Sequence, residues 1–134
     1  YLKSRSSKLI TFEMNAPNTE LRAAINPELY SWTIENLVKN GIDAMKGEGN
    51  IAITIHASHT LVLIDISDTG KGISKKLFHT IFETGFTSKK RGWGLGLSLS
   101  KRIINEYHKG KIKVLESEID KGTTIRISLK RLQE

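Results

Sequence analysis

The sequence predicts a single α/β domain, spanning residues 1–134, in which a β-sheet packs under a layer of helices. One observation is the apolar run at 61–64, followed by Ile66, which is typical of a buried central strand. Another is the stretch 27–45, where apolar side chains recur at intervals of three and four residues, as on a helix with one face against a sheet. The chain opens on Tyr1 without an initiating Met, so we expect a fragment of a longer protein.

Composition excludes several classes of function. The chain has no cysteine, which rules out a disulfide framework and a thiolate metal site, and its four histidines lack metal-ligand spacing. No apolar run approaches the roughly 20 residues of a membrane span. The net charge of +7 raises the alternative of nucleic-acid binding, but only 7% of the residues are aromatic and no helix carries an unbroken basic face. We therefore expect no nucleic-acid partner.

The first elements are an edge strand and a long helix. Alternation at 7–15 predicts the strand, and 21–25 is interpreted as a short second strand. The sequence Asn-Pro-Glu at 26–28 is typical of a helix start, with Asn26 as the N-cap and an acid in the first turn. The glycines at 46–49 then end the helix near Met45.

The face of this helix opposite its apolar stripe carries Asn36, Asn40 and Asp43, spaced one turn apart. A solvated surface is one interpretation of such a face. The other is that side-chain amides are needed there for a ligand, because asparagine is a poor residue for the middle of a helix.

Asp68 ends the second strand of a predicted hairpin, whose strands are 49–57 and 61–68. Because side chains alternate along a strand, Asp68 shares a face with Ile64 and Ile66, which we expect to pack under the helices. A carboxylate there is costly unless a ligand donor, such as an exocyclic amino group, pairs with it. Gly70 and Gly72 would let the backbone approach that ligand. The alternative is a polar turn at 68–72 that Asp68 caps.

The rest of the chain predicts a short helix, a loop, a second helix and two strands. Ser74 is a candidate cap for a helix that runs through Ile81, and the aperiodic stretch 82–92 is typical of a mobile functional loop. Strands at 111–117 and 123–129 are joined by a turn at 120–122. The second helix has apolar positions at helical spacing, namely Leu95, Leu99, Ile103, Ile104 and Tyr107.

Glycines at 92, 94 and 96 open this second helix, and they indicate anion binding by free backbone N–H groups. Their G-x-G-x-G spacing is neither the dinucleotide-binding fingerprint nor a P-loop. Basic residues flank the glycine segments and are either a solvated surface or partners of a polyphosphate. They are Lys71, Lys75, Lys76, Lys89, Lys90 and Arg91.

Five segments resemble, in order, the N box, the first glycine box, the F box and the second and third glycine boxes of the catalytic ATP-binding domain of sensor histidine kinases. They are 34–44, 68–73, 82–89, 92–97 and 122–124. The resemblance covers residues 9–129 and implies the Bergerat fold, a two-layer α/β sandwich with helices on one face of a mixed sheet. It implies a protein histidine kinase that binds Mg-ATP and donates the γ-phosphate to a histidine on a separate dimerisation domain.

The resemblance also implies roles for individual residues. Asp68 would accept a hydrogen bond from the adenine amino group, supported by Thr123, while Gly70, Gly72 and Ile73 would shape the adenine pocket. Asn40 would hold Mg²⁺, with Asn36 beside it toward the phosphates. The implied catalytic residues are Asn36, Asn40, Lys89 and Arg91, of which Lys89 or Arg91 would reach the γ-phosphate from a lid at 78–93. The implied nucleotide-binding set further includes Asp43, Gly92, Gly94, Leu95, Gly96 and Leu97.

Two departures bear on these expectations. Related hydrolases carry a glutamate base where this chain has Asn36, and Glu35 points about 100° away on the helix. This favours a kinase over the alternative, a GHKL-type ATPase or conformational switch. Asp43 stands where many histidine kinases have Lys or Arg.

None of the four histidines lies in a phosphoacceptor context, so we expect the phosphoacceptor helical domain to be missing from this chain. The resemblance implies that domain and a response regulator as partners, a homodimer in the full-length protein, and a cytoplasmic location, including the cytoplasmic part of a membrane-anchored sensor.

Overall fold

Five strands form one mixed sheet in the computed structural model, which describes residues 9–86 and 96–133. The strands are β1 Ile10–Asn15, β2 Gly49–Ala57, β3 Leu61–Asp68, β4 Lys111–Glu118 and β5 Gly122–Lys130, in the spatial order β1-β2-β3-β5-β4. β1 is parallel to β2, and the other neighbouring pairs are antiparallel. The predicted edge position of the first strand and central position of β3 are confirmed.

Helix α1, Pro27–Met45, packs on one face of this sheet. Its start is set as predicted, because the Asn26 side chain accepts a hydrogen bond from Leu29 N–H at 3.1 Å. Its end is set by Lys46, which adopts a left-handed φ of 54°. The predicted apolar stripe faces the sheet, with Leu37 only 2% exposed.

The second helix changes its period at Ile103. Helix α2, Gly96–Arg102, continues into a π-helical turn, Ile103–Tyr107, in which His108 N–H donates to the Ile103 carbonyl five residues back. The extra residue in this turn places His108 inward, at 8% exposure, and leaves Tyr107 outward, at 66%. The prediction that Tyr107 belongs to the apolar stripe was therefore wrong. Leu99 is also exposed, and Ser100 is the buried residue of that turn.

The core lies between these helices and the inward face of the sheet. Burying one large aliphatic side chain stabilises the fold by roughly 1.5–3 kcal/mol. The central strands supply most of these side chains, and the buried set from the sheet is Ile10, Ile51, Val62, Ile64, Ile66, Ile112, Val114, Ile125, Ile127 and Leu129.

Two predicted elements were wrong. Segment 21–25 is irregular rather than a strand, and its Arg22 carbonyl accepts a hydrogen bond from Leu132 N–H instead of joining a ladder. Segment 74–81 forms two 3₁₀ turns, Lys75–Leu77 and Thr80–Phe82, rather than a helix capped by Ser74. The Ser74 hydroxyl makes no cap and has no hydrogen-bond partner among the described residues.

The stretch interpreted as a loop at 82–92 begins inside the core. Phe82 is 7% exposed and packs in the core beside Ile81. An aromatic ring followed by polar residues has no helical or strand period, so periodicity gave no sign that this ring is buried. The first residue of the predicted loop is therefore an anchor.

The face of the sheet that points away from α1 carries a charged cluster. Arg126 donates to both carboxylate oxygens of Asp65, at 2.8 and 2.9 Å, and His56 Nε2 lies 3.1 Å from Asp65 Oδ2. Burial raises the pKa of Asp65, but the hydrogen bonds and charges of Arg126 and His56 outweigh it, so the pKa lies below its usual value.

Over residues 9–86 and 96–133, none of the helices combines the length and the apolar character that crossing a bilayer needs.

Candidate functional site

The Asp68 carboxylate lies at the end of β3, on the face that α1 covers, as predicted. A Cβ atom built on Gly41 of α1 would be 3.2 Å from Asp68 Cβ and 3.4 Å from its Oδ2. Asp68 Oδ1 accepts a hydrogen bond from Gly70 N–H at 2.9 Å. The interpretation of Asp68 as the cap of the turn is thus confirmed for one oxygen, while the other is directed at the helix and its pairing with a ligand donor stays a prediction.

Burial raises the pKa of Asp68, and hydrogen bonds from the backbone N–H groups of Gly70 and Thr123 only partly offset this. Asp65, on the other face of the same strand, shifts the opposite way. Loss of solvent acts most strongly on both carboxylates, but at Asp65 the Arg126 guanidinium and His56 outweigh it, whereas within residues 9–86 and 96–133 Asp68 is opposed only by backbone N–H groups. A carboxylate in this position favours a ligand that brings a hydrogen-bond donor.

The glycines after Asp68 make room for protein backbone. A Cβ atom on Gly70 would lie 2.6 Å from the carbonyl oxygen of Ala44, and one on Gly72, which has a φ of +76°, would collide with the carbonyl of Glu118. Lys71 lies between them, and its N–H donates to the Ala44 carbonyl at 3.0 Å. The loop 69–73 is therefore held between the end of α1 and the β4–β5 turn.

Thr123 pairs with Asp68 across β3 and β5 and is 7% exposed. Its backbone N–H bonds to the Asp68 carboxylate, while its hydroxyl lies 2.7 Å from Ser117 Oγ. Ser117 Oγ also accepts from Ile73 N–H at 2.8 Å and donates to the Gly122 carbonyl at 2.9 Å. Thr123 thus acts on the carboxylate through its backbone, and its side chain helps to fix the loop.

Ser117 was missed by the sequence interpretation because β4 contains a bulge. Val114 pairs with Ile125 and Glu116 pairs with Thr124, so Leu115 is an extra residue that reverses the alternation. The available signal was Glu116, which strict alternation from Ile112 and Val114 would have placed in the core.

The asparagine face of α1 is divided between two surroundings. Asn36 Nδ2 donates to the Gly96 carbonyl and to Ser100 Oγ, both at 2.9 Å, so this amide joins α1 to the start of α2. Asn40 is half-buried next to Gly41, at the level of the Asp68 carboxylate, and Asp43 is exposed one turn further on.

The structure brings together Asn36, Gly96 and the start of α2 at Leu97, and separately joins Asp68, Gly70, Gly72, Ile73 and Thr123 into one bonded unit. Lys89, Arg91, Gly92, Gly94 and Leu95 lie outside the described residues, and their roles stay predictions.

The donor chemistry suits a magnesium ion that is bound mainly by a substrate. Within 9–86 and 96–133, no three His, Cys, Asp or Glu residues are placed to hold a metal ion. A neutral amide oxygen, such as that of Asn40, fits Mg²⁺ that keeps several waters and takes its negative ligands from phosphates. The residues present therefore fit Mg²⁺ together with a nucleotide better than a metal bound alone.

The fold defines the class of protein to which this chain is similar. The catalytic domain of histidine kinase ThkA superposes with a TM-score of 0.80 at 31% sequence identity, covering 90% of this chain and 80% of that one. Residues 26–133 match the family model of histidine kinase-, DNA gyrase B- and HSP90-like ATPases. The chain belongs to that family.

Curated relatives that carry the name of kinases are much longer than this chain. Sporulation kinase E of Bacillus subtilis is 44% identical over 95 residues, which are 70% of this chain and 13% of that protein. Sensor histidine kinase ZraS of Escherichia coli is 33% identical over 137 aligned residues, which cover 96% of this chain and 29% of that protein. The chain therefore spans less than a third of these relatives.

Proposed function

We propose that this chain binds Mg-ATP and serves as the catalytic domain of a sensor histidine kinase, donating the γ-phosphate to a histidine on a helical domain elsewhere in the parent protein. The observation that carries the proposal is the Asp68 carboxylate, which is desolvated under α1 and, among the residues that the structure describes, has no guanidinium partner of the kind that Asp65 has. The exocyclic amino group of adenine supplies the donor that this carboxylate favours.

The nucleoside end of the site is rigid in its described part. Asp68 accepts from the adenine amino group through the oxygen that faces Gly41, while Gly70 and Thr123 hold the carboxylate by their N–H groups. Ile73 lines the pocket, and Gly72 lets its loop pass the β4–β5 turn. Adenine recognition therefore needs little rearrangement.

The phosphate end is proposed from the chemistry of the side chains and from the family. Asn40 holds Mg²⁺ through its amide oxygen, and the ion, when bound, neutralises charge on the transferring phosphate. Gly92, Gly94 and Gly96 offer backbone N–H groups to the phosphates, with Leu95 and Leu97 between and after them. Lys89 or Arg91 reaches the γ-phosphate, and Asp43 borders the site.

Kinase activity is favoured over hydrolysis by the residue at position 36. Asn36 stands where related hydrolases have a base, and its Nδ2 is bonded to Gly96 and Ser100. General-base help is worth roughly 10²–10⁴-fold in rate, so its absence leaves an attacking water without activation. We propose a histidine side chain as the nucleophile instead.

The partners are proposed with the same function. ThkA has been crystallised in complex with the response regulator TrrA, and that complex resembles this chain with a TM-score of 0.77 at 28% identity. By analogy we propose a response regulator and a phosphoacceptor helical domain as partners, a homodimeric parent, and a cytoplasmic location.

The test supplies the helical domain of the parent protein in trans with radiolabelled ATP. We expect label on that domain as a phosphohistidine, stable to base and labile to acid, and none on this chain alone. Asp68→Asn should strongly reduce labelling at an ATP concentration near the wild-type dissociation constant. Brisk phosphate release by the chain without transfer to its helical domain would instead support the ATPase alternative. The rate of ATP hydrolysis by Asn36→Glu measures whether a carboxylate at position 36 is enough to activate a water molecule.

A further inference from the structure

We propose that Ser100 and the Asn36 side chain form a positioning lock that fixes the start of α2 against α1. The lock has three members: Asn36 on α1, the Gly96 carbonyl that opens α2, and the Ser100 hydroxyl one turn later. Its part in nucleotide binding rests on the proposed function, whereas its part in holding the helices together does not.

Every donor in the lock has a partner. Asn36 Nδ2 uses both of its N–H groups, one to the Gly96 carbonyl and one to Ser100 Oγ, each at 2.9 Å. The Ser100 hydroxyl donates back to the Gly96 carbonyl, also at 2.9 Å, which leaves its oxygen lone pairs to accept from Asn36. The network has one consistent direction of donation.

The surroundings make the lock sensitive to small changes. Ser100 is 0% exposed, so water cannot replace a lost partner. The Asn36 amide also packs against the Cα of Gly96, because a Cβ there would lie 3.2 Å from both its nitrogen and its oxygen. A side chain at position 96 would therefore push the Asn36 amide by a few tenths of an ångström and disturb its bonds.

The direction of donation assigns a role to the nitrogen of the Asn36 amide. Its nitrogen is committed to α2, so Asn36 serves as a hydrogen-bond donor to protein rather than as a donor to phosphate. Asn40 lies one turn further along α1, so the lock sets the offset between that side chain and the first turn of α2. Ser100 is accordingly a positioning residue for the phosphate end of the proposed site.

The experiment compares Ser100→Ala and Asn36→Asp with Ser128→Ala, a matched serine change on the outer face of the sheet. Aspartate has the shape of asparagine but cannot donate, so Asn36→Asp removes both bonds that Asn36 donates, turns an acceptor toward the Gly96 carbonyl and draws the Ser100 hydroxyl away from that carbonyl. Hydrogen exchange of the amides at 100–102 is measured without nucleotide, and affinities for adenosine and for Mg-ATP are measured separately.

We expect exchange at 100–102 to become about tenfold faster in Ser100→Ala and faster still in Asn36→Asp, with no change in Ser128→Ala, since losing a bond to a buried group is worth about a factor of ten or more. Mg-ATP affinity should fall about tenfold in Ser100→Ala while adenosine affinity is retained, because Asp68 and its loop are untouched.

Unchanged exchange in both variants would overturn the lock. Tighter Mg-ATP binding by Asn36→Asp would also overturn it, because that gain would mean that the side-chain oxygen at position 36 acts directly on the metal. If the wild-type chain binds no nucleotide at all, the proposed function fails, and the exchange measurement alone decides the lock.

Discussion

The carboxylate of Asp68 lies beneath the Cα atom of Gly41. No other residue type at position 41 would leave the same space, since a Cβ there would be 3.2 Å from Asp68 Cβ and 2.7 Å from the terminal Cδ1 of Ile51. The helix therefore approaches the sheet most closely where the carboxylate emerges. This contact removes water from Asp68, and burial raises its pKa.

Asp68→Asn should separate stability from binding. Because burial disfavours the ionised carboxylate, the neutral amide should leave the ligand-free protein as stable as before or more so, while its oxygen still accepts from Gly70 N–H. ATP affinity should fall by about 1–3 kcal/mol, since an amide can present a donor to the adenine amino group. Calorimetry with ATP and thermal unfolding are the measurements. Unchanged ATP affinity in the folded variant would exclude Asp68 from adenine recognition.

Gly70→Ala should destabilise the protein more than Gly41→Ala does. The new methyl group at position 70 meets the backbone of Ala44, at 2.6 Å from its oxygen, and backbone cannot yield without moving α1. We expect a loss of about 1–3 kcal/mol in the free energy of unfolding. At position 41 the nearest atom is the end of a flexible side chain, and alanine favours the helix by about 1 kcal/mol. Chemical denaturation of both variants checks the order, and equal losses would contradict it.

The Asp65 cluster should make stability fall in acid. Burial of Asp65 is outweighed by Arg126 and His56, so the pKa of Asp65 is lower in the folded protein than in the unfolded chain. Its contribution is therefore complete above the unfolded value of about 3.9 and is lost as pH falls through the folded value.

Denaturation between about pH 2 and 6 tests this, with Asp65→Asn as the variant that should lose the dependence. Asp68 contributes with the opposite sign, because its pKa is raised and protonation relieves its burial. Asp68→Asn should therefore steepen the decline in acid. If Asp65→Asn loses stability in acid as the wild type does, the loss of stability must come from other carboxylates.

Asn40→Ala should weaken nucleotide binding mainly when Mg²⁺ is present. The lost amide oxygen acts through the ion, so affinity for metal-free ATP should change little. Titrations with and without Mg²⁺ measure the difference, and Asn105→Ala, on the exposed side of the π turn, is the control. Equal losses in both conditions would show that Asn40 supports the fold only.

The sequence was most informative where one residue decides a local geometry. Asn26 predicted the start of α1, and the apolar run before Asp68 predicted both the central strand and the face on which the carboxylate lies. Such inferences failed where a single extra residue changes the period. Because of the π turn, His108 rather than Tyr107 faces inward. Because of the bulge at Leu115, Ser117 rather than Glu116 faces inward. Hydrogen bonds between distant parts of the chain, rather than local propensity, decide where a helix or a strand takes up an extra residue.

The residue types of the candidate site could be predicted from the sequence, but which of these residues makes which contact could not. Asn36 and Asn40 have the same side chain and lie one turn apart, and it is the amide nitrogen of Asn36 that the structure bonds to the Gly96 carbonyl. That contact joins positions sixty residues apart in sequence, and no pattern along α1 encodes it.

The pairing of β3 with β5 also has a consequence for how the chain closes on itself. These two strands bracket residues 69–121, which include every predicted nucleotide contact between Gly70 and Leu97. The entropy of closing such a loop grows only with the logarithm of its length, so doubling it costs about 0.6 kcal/mol. Surface segments between the two strands can therefore gain or lose residues at little thermodynamic cost, while the register that holds Asp68 opposite Thr123 stays the same. A change of length is therefore cheaper in the surface segments of this stretch than within the paired strands themselves.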